Sequence, residues 1–484
     1  MELDASAMVH GELASDSPMA TKAQWAALWV LLLGAFMGFL DIFIVNVANP
    51  SIQTEMHATF ADIQLVPTGY TLAYAAGLVT GGRLGDIFGR RRIFLIGVVT
   101  FAVTSAACAA ARSPGFLVGA RILQGLAAAV MIPQVLALVQ VTFRRNDERT
   151  RAIGLYGAVI GLGVLAGQIV GGFLIEWDVA GLGWRAIFLV NVPLCVITFI
   201  AGLMLVKDRG ERLAMKLDLG GVILLGLGLF GLVHALVIGA ERGWITSLVL
   251  EMVAGTLLLG LFIVWERRVA RIGGAPLLPP RLFKQRGFSM GLPTALFFYG
   301  VNGAFVFLLA FYLQHAMDFT PLGSALEFTP MAILTSVSSM LCGKLIARFG
   351  QWVVPAAAVL MGIGLLAVWA AVESVSTDGQ AMALMPGLLL YGCGGGIVAT
   401  SLIGMALSGI APEDAGAASG GILTAVQASE AAGVAGIGAL FAGLAASGGF
   451  VHGFGISAIV LTALSILTAA FLHFLGAPQP SQTS

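Results

Sequence analysis

Apolar residues occur along this chain in long runs, broken by short connections that hold most of the charge. A helix crossing the hydrocarbon core of a bilayer needs about 20 apolar residues, because in lipid each backbone amide must find its partner within its own segment. Fourteen runs reach that length, near residues 27–50, 63–82, 93–111, 115–139, 152–175, 186–206, 218–239, 246–266, 288–313, 322–347, 353–372, 380–408, 416–441 and 454–475. The pattern predicts an all-α membrane protein with fourteen transmembrane helices.

Composition narrows the class. Hydrophobic residues make up 58% of the 484, another 64 residues are glycine, and charged residues are only 10%, against about 25% in an average globular protein. So little polar surface excludes a cytosolic enzyme and a disordered scaffold, and 25 basic against 25 acidic residues give no cationic footprint for nucleic acid. Basic residues concentrate in the cytoplasmic loops of membrane proteins. Here 21 of the 25 fall on one set of alternate connections, from Lys22 and Arg83 to Lys344 and Arg348. Only Arg112, Arg185 and Arg242 fall on the other set, and Arg121 lies inside a run. The split predicts a multi-pass protein of the cell membrane with an even number of spans, both termini cytoplasmic and outer loops too short to form a binding domain. The first residues, with Glu2, Asp4, Glu12 and Asp16, lack the basic start and cleavage site of a signal peptide. Four separated cysteines and six scattered histidines show neither a disulfide framework nor metal-ligand spacing, so no metal site is expected.

A repeat divides the chain. The stretch GRLGDIFG from Gly82 to Gly89 follows the second run, and GKLIARFG from Gly343 to Gly350 follows the tenth, 261 residues later. Glycines, Leu, Phe and a basic residue coincide in the two, each in a connection expected on the cytoplasmic side. Chance similarity between two basic loops is the alternative. Many transporters are built from repeated bundles with a site between them near the midplane. The repeat therefore predicts equivalent bundles at 27–206 and 288–475, an inserted helix pair with its flanking loops at 207–287, and cytoplasmic tails at 1–26 and 476–484. This 6+2+6 arrangement implies alternating access, which a simple channel does not need.

The motif Gly82-x-Leu84-x-Asp86-x-x-Gly89-Arg90-Arg91-Arg92 resembles motif A of the major facilitator superfamily, and the 6+2+6 layout resembles its 14-spanner drug:proton antiporters. Further matches are Leu40-Asp41-x-x-Ile44-Val45-Asn46-Val47-Ala48, Arg121-x-Leu123-Gln124-Gly125, and Trp184-Arg185 with Phe188-Leu189-Val190-Asn191-Val192-Pro193. Pro276-Leu277-Leu278 with Arg281-Leu282-Phe283 completes the set. The resemblance implies the major facilitator fold, drug efflux and drug resistance, and a proton-transfer role for Arg121, which matches the arginine of motif B. Two departures stand out. Gly167-Gln168-Ile169-Val170-Gly171-Gly172 occupies the place of Gly-Pro-x-x-Gly-Gly, a motif associated with exporters, and Phe43 and Asn49 replace a Thr and a Leu.

Several residues carry candidate chemistry in their own right. A carboxylate inside a span costs about 2.5–3.5 kcal/mol on insertion scales and normally faces a cavity, which makes Asp41 the leading proton-coupling residue; a purely structural Asp is the alternative. Arg121 falls at a similar depth and is the expected partner of Asp41, in proton transfer or in an ion pair that only locks two helices. Glu430 is the second buried acid, a binder of a cationic substrate, a second proton carrier or a satisfied interfacial carboxyl. Glu327 is expected near the membrane surface. Tyr70, Tyr74, Gln124 and Gln134 are candidates for the substrate pocket, since aromatic faces suit hydrophobic or cationic ligands. Gly163, Gly167 and Gly171 line one face of the fifth helix and are expected at the junction of the two halves, where Gln168 supplies an interhelical hydrogen bond in place of a proline kink; Gly172 closes the same glycine motif. The alternative is ordinary small-residue packing. In motif A, Gly82, Asp86, Gly89, Arg90 and Arg91 are expected to latch the inner side, with Asp86 accepting from a helix start and the arginines pairing with acids or lipid phosphates; anchoring by positive charge alone is the alternative. Trp25, Trp29, Trp184, Trp244 and Trp352 near span ends suggest an interfacial belt.

Together these readings predict a transporter, not an enzyme, that exports hydrophobic or amphipathic small molecules, drugs or secondary metabolites, in exchange for protons. It needs no cofactor beyond the proton gradient: the sequence contains no Walker A motif. Its partners are the substrate, protons and membrane lipids, and the sequence names no accessory efflux protein. An importer on the same fold is the alternative, kept open by Gln168.

Overall fold

The computed structural model describes residues 19–143, 145–207, 217–242, 245–374, 377–408, 410 and 415–476. Residues 1–18 and 477–484 of the expected tails, most of the connection after residue 207, and Trp244 lie outside the described residues. Among the described residues the regular structure is helical, without strands. In chain order the helices are α1 Lys22–Met56, α2 Phe60–Phe88, α3 Arg90–Ala109, α4 Pro114–Thr142 and α5 Asn146–Glu176. After two short 3₁₀ turns and a single turn of helix at Ala186–Leu189 come α6 Asn191–Leu205, α7 Leu219–Arg242 and α8 Thr246–Arg271. They are followed by α9 Arg286–His315, α10 Pro321–Phe349, α11 Val353–Ser374, α12 Thr377–Ala406 and α13 Ala415–Gly476.

Local chemistry sets the helix ends. Thr21 and Thr59 each cap a helix through a reciprocal pair of hydrogen bonds with the residue three positions on, Gln24 and Asp62. Gly89 ends α2 with φ 97° and Gly350 ends α10 with φ 80°. These are the last glycines of the two repeat copies, and in both the chain leaves its helix through a conformation that a side chain would strain.

Twelve helical segments among the described residues are long and apolar enough to cross a membrane. α2 is not one of them, because Gln64, Thr68, Tyr70, Thr71 and Tyr74 lower its hydropathy. All five are buried, and the helix is enclosed by α4, α7 and α13. Protein takes the place of lipid around it, so polar side chains there are tolerated. α13, 62 residues in all, is two helices that meet at Gly449, whose φ 87° and ψ 171° are not helical. The segment 442–453, expected as a connection, is therefore helical on both sides of one glycine.

The early helices pack among themselves, α1 on α5 and α2 on α4, as do the late ones, α9 on α13 and α11 on α12. The two groups meet where α2 touches α13, α5 touches α10 and α1 touches α9. α7 rests on α2 and α13, and α8 packs mainly on α7. Its outer face exposes Leu250, Leu257, Leu261 and Val264, as a lipid-facing helix should. Trp29 and Trp352 are exposed, in keeping with an interfacial position. Trp184 departs from that expectation: it is buried edge-on against Phe188, with Arg185 over its ring, because the short helix at Ala186–Leu189 turns it inward.

Candidate functional site

Asp41 sits midway along α1 and is wholly enclosed. Its Oδ2 accepts from an Arg121 guanidinium nitrogen at 2.5 Å, and its Oδ1 accepts from Gln124 Nε2 at 2.9 Å and Asn191 Nδ2 at 2.8 Å. The same Arg121 nitrogen donates to Gln124 Oε1 at 2.8 Å, and the guanidinium carbon stands 4.3 Å from the centre of the Tyr70 ring. Ser105 accepts from Gln124 and Asn191 at 3.2 and 3.1 Å and donates to the Phe188 carbonyl at 2.8 Å. Thus α1, α3, α4 and α6 each contribute to one buried charge pair. Such a pair is tolerable in a low-dielectric interior only when further hydrogen bonds satisfy both ions; Gln124 and Asn191 donate to Asp41, Gln124 Oε1 and the Val66 carbonyl accept from Arg121, and Ser105 holds the two amides in place.

Beside this cluster lies a cavity with walls from both groups of helices. Ile42, Phe43, Asn46, Thr68, Tyr70 and Arg121 line it on one side, and Asn302, Gly303, Val306, Glu430 and Val434 on the other. Arg121 reaches both the cavity and Asp41, so the guanidinium separates the carboxylate from the open space. Across from it the Glu430 carboxyl makes no hydrogen bond among the described residues, while Tyr391 donates to the neighbouring Asn302 Oδ1 at 3.3 Å.

Contacts between early and late helices lie on either side of the cavity. Toward the end where α1 finishes, the Phe60 ring packs on Phe307, Phe311 and Phe441 with centroids 5.8, 4.8 and 5.7 Å away, and Gln314 Nε2 donates to the Val47 carbonyl at 3.0 Å. Toward the end where α1 begins, Thr424 donates to the Ala75 carbonyl at 3.0 Å. These contacts join early to late helices above and below the site.

The structure disperses other candidates. Tyr74 is buried with its ring 6.3 Å from that of Tyr70, but it is not among the cavity walls. Gln134 is pinned to the Gly81 carbonyl at 2.7 Å, where its amide packs against Gly85; it braces the end of α2 and does not face the pocket. In motif A, Arg90 pairs with Asp86 at 2.8 Å and also reaches the Ala137 carbonyl at 3.2 Å, while Arg91 donates to the Leu203 carbonyl at 2.6 Å. Asp86, in the last turn of α2, therefore accepts from the side chain of Arg90, the first residue of α3. The contact that leaves the early helices is made by Arg83, which donates to the Ala275 and Pro276 carbonyls, each at 2.6 Å.

The glycine stripe is also corrected. A Cβ on Gly163 would stand 2.9 Å from Phe39 Cβ, one on Gly167 3.0 Å from Phe43 Cβ, and one on Gly171 2.8 Å from Ile44 Cγ1. The stripe therefore seats α5 on α1 within the early helices. Gly172, one residue round the helix, meets Leu322 and Pro321 of α10 and forms the junction with the late helices. Gln168 is buried, but its side-chain oxygen has no partner, so the expected interhelical hydrogen bond to it is not made. Glu327, expected at the membrane surface, has one carboxyl oxygen buried without a partner.

Sequence reasoning missed Asn191, Ser105, Asn302 and Tyr391. Asn191 was legible as a member of the Phe188–Pro193 motif but without a role, because its role depends on the helix it faces.

The sequence profile of the Major Facilitator Superfamily matches residues 31–434. The chain is 38% identical over 440 residues to a probable actinorhodin transporter of Streptomyces coelicolor, covering 90% of this chain and 75% of that one. It is 35% identical over 472 residues to the puromycin resistance protein of Streptomyces alboniger, covering 93% and 91%. A tetracenomycin C resistance and export protein of Streptomyces glaucescens is 34% identical over 424 residues, covering 86% and 76%. Among solved structures, a D-xylose–proton symporter superposes with TM-score 0.64 at 14% identity, covering 93% of this chain and 97% of that one. A bacterial homologue of the human lysosomal transporter Spinster gives 0.65 at 16% identity, covering 94% and 97%. At such low identity these likenesses concern the fold.

Proposed function

The chain belongs to the Major Facilitator Superfamily, and we propose that it exports hydrophobic or amphipathic small molecules, drugs or secondary metabolites, from the cytoplasm in exchange for protons. Its similarity to proteins named for actinorhodin transport, puromycin resistance and tetracenomycin C export supports the substrate class and the direction. The observation that carries the reading is the enclosed Asp41–Arg121 pair, with the guanidinium at the cavity wall. A proton arriving at Asp41 neutralises it and releases the hold on Arg121, whose charge then faces Glu430 across the cavity. Substrate and proton thereby compete through one guanidinium, the coupling an antiporter requires. Glu430 offers a carboxyl for a cationic substrate or a second proton, and Tyr70 an aromatic wall. The proton gradient is the energy source, and no cofactor takes part.

The same proposal includes fourteen crossings arranged 6+2+6, with 27–206 and 288–475 as the two bundles and both termini cytoplasmic. α2 is counted as a span because protein surrounds it. Helix totalling 62 residues, at a rise of about 1.5 Å per residue, is far longer than a hydrocarbon core of about 30 Å, so α13 is counted as two crossings folded at Gly449. Motif A, with Arg83, closes the cytoplasmic end.

The test is proton release from acid-loaded everted vesicles on addition of hydrophobic cations and neutral antibiotics. Release by the wild type and none by Asp41→Asn is expected. If no compound collapses the gradient and substrates equilibrate equally in both proteins, coupling through Asp41 is wrong. A second reading, a proton-coupled importer, is favoured by Gln168 in place of the proline of the export-associated motif; it predicts accumulation driven in the opposite direction.

A further inference from the structure

Away from the central cavity, at the end where α7 begins and α8 finishes, two buried carboxyl groups face each other. Asp218 and Glu266 are 7% and 3% exposed. One oxygen of each is committed: Asp218 Oδ1 accepts from Gly221 N at 2.9 Å and from Trp265 Nε1 at 2.7 Å, and Glu266 Oε2 accepts from Leu278 N at 2.8 Å. The other oxygen of each, Asp218 Oδ2 and Glu266 Oε1, has no partner among the described residues. Both point to the same place, since a Cβ on Gly221 would lie 2.7 Å from Glu266 Oε1 and 2.8 Å from Asp218 Oδ2.

We propose that Asp218 and Glu266 share one proton between these two oxygens, forming a protonation site on the inserted helix pair that is separate from Asp41. Two ionised carboxylates this close and this buried repel each other, and a single proton turns that repulsion into a hydrogen bond. A calcium or magnesium ion fits poorly, because it requires about six oxygen ligands and only two unpartnered carboxyl oxygens converge here among the described residues. Arg83 of α2 is a charged group that interacts with the pair. Its guanidinium holds the Ala275 and Pro276 carbonyls, in the same segment whose Leu278 amide is bound by Glu266. Loss of the shared proton places a second negative charge beside Arg83 and draws it from those carbonyls. The site thus ties the hold of α2 on the strap before α9 to the local proton activity. This inference does not depend on the direction or the substrate of transport.

The test uses the full chain in lipid nanodiscs. Infrared difference spectra between wild type and Glu266→Gln, taken across a pH series, are expected to contain a protonated-carboxyl C=O band at neutral pH that disappears at alkaline pH. Asp218→Asn, which keeps a cap acceptor for Gly221 and Trp265, should remove the same band, while Asp41→Asn and Glu430→Gln leave it in place. Hydrogen exchange of the 275–285 amides, corrected for intrinsic pH dependence, should accelerate as the band is lost in wild type and become independent of pH in Glu266→Gln. A spectrum without that band, or exchange in Glu266→Gln that still follows pH as in wild type, would overturn the proposal. A band that sodium or calcium ions displace at constant pH would also overturn it, identifying a cation site instead.

Discussion

Arg121 engages Asp41, Gln124 and the face of Tyr70 at once, and this sharing governs what substitutions at the residue scale should do. Arg121→Ala leaves the Asp41 carboxylate buried beside amide donors only; breaking a buried pair in this way costs about 3–5 kcal/mol. A clear fall in the apparent melting temperature of the detergent-solubilised protein is expected. Arg121→Lys retains the charge but not the planar fork, so it should fold and yet release protons weakly in the vesicle assay. Glu430 faces the cavity without a hydrogen bond among the described residues, so Glu430→Gln should lower export of cationic amphiphiles several-fold more than export of neutral compounds of similar size. Everted vesicles loaded with matched substrates measure that ratio, and equal losses for both classes would place Glu430 outside substrate recognition. Asp41 and Arg121 were legible in the sequence because an ion in an apolar run is costly. Asn191 and Ser105 were not, because an uncharged polar residue in a span is cheap enough to be common.

At the scale of elements, close helix approach is set by where a glycine faces. On α5, Gly163 has Phe39 Cβ within 2.9 Å of the position its own Cβ would take, whereas Gly154 has nothing within 4 Å. Gly163→Leu should therefore destabilise the protein by about 1–3 kcal/mol through overpacking, read as a lower apparent melting temperature. Gly154→Ala should leave it unchanged. The four-residue spacing of Gly163, Gly167 and Gly171 predicts a close helix neighbour but not its identity, and α1 takes that place instead of a late helix. Run length identified most helices correctly, because lipid imposes the requirement on each segment alone. It gave no warning that Ala, Gly and Ser carry helix through the stretch expected to be a connection as far as the kink at Gly449, nor of the degree to which protein encloses α2.

On the scale of the whole molecule, early and late helices are joined on either side of the cavity, Gln314 to Val47 on one side and Thr424 to Ala75 on the other. Alternating access requires these to break in turn. Cysteines replacing Val47 and Gln314, joined by a cleavable bifunctional maleimide, should block substrate-driven proton release, and cleaving the linker should restore it. Release that continues in the cross-linked protein would show that this end need not open. What the sequence determined by itself was the membrane class, nearly every helix and the family, because hydropathy, run length and short motifs are properties of single segments. Tertiary structure alone decided that Gln124 and Asn191 complete the Asp41 site, that Gln134 braces α2, that Gly172 and not the glycine stripe meets the late helices, and that Asp218 faces Glu266. Each of these depends on the rotation and depth of helices distant in the chain, which no local pattern of residues specifies.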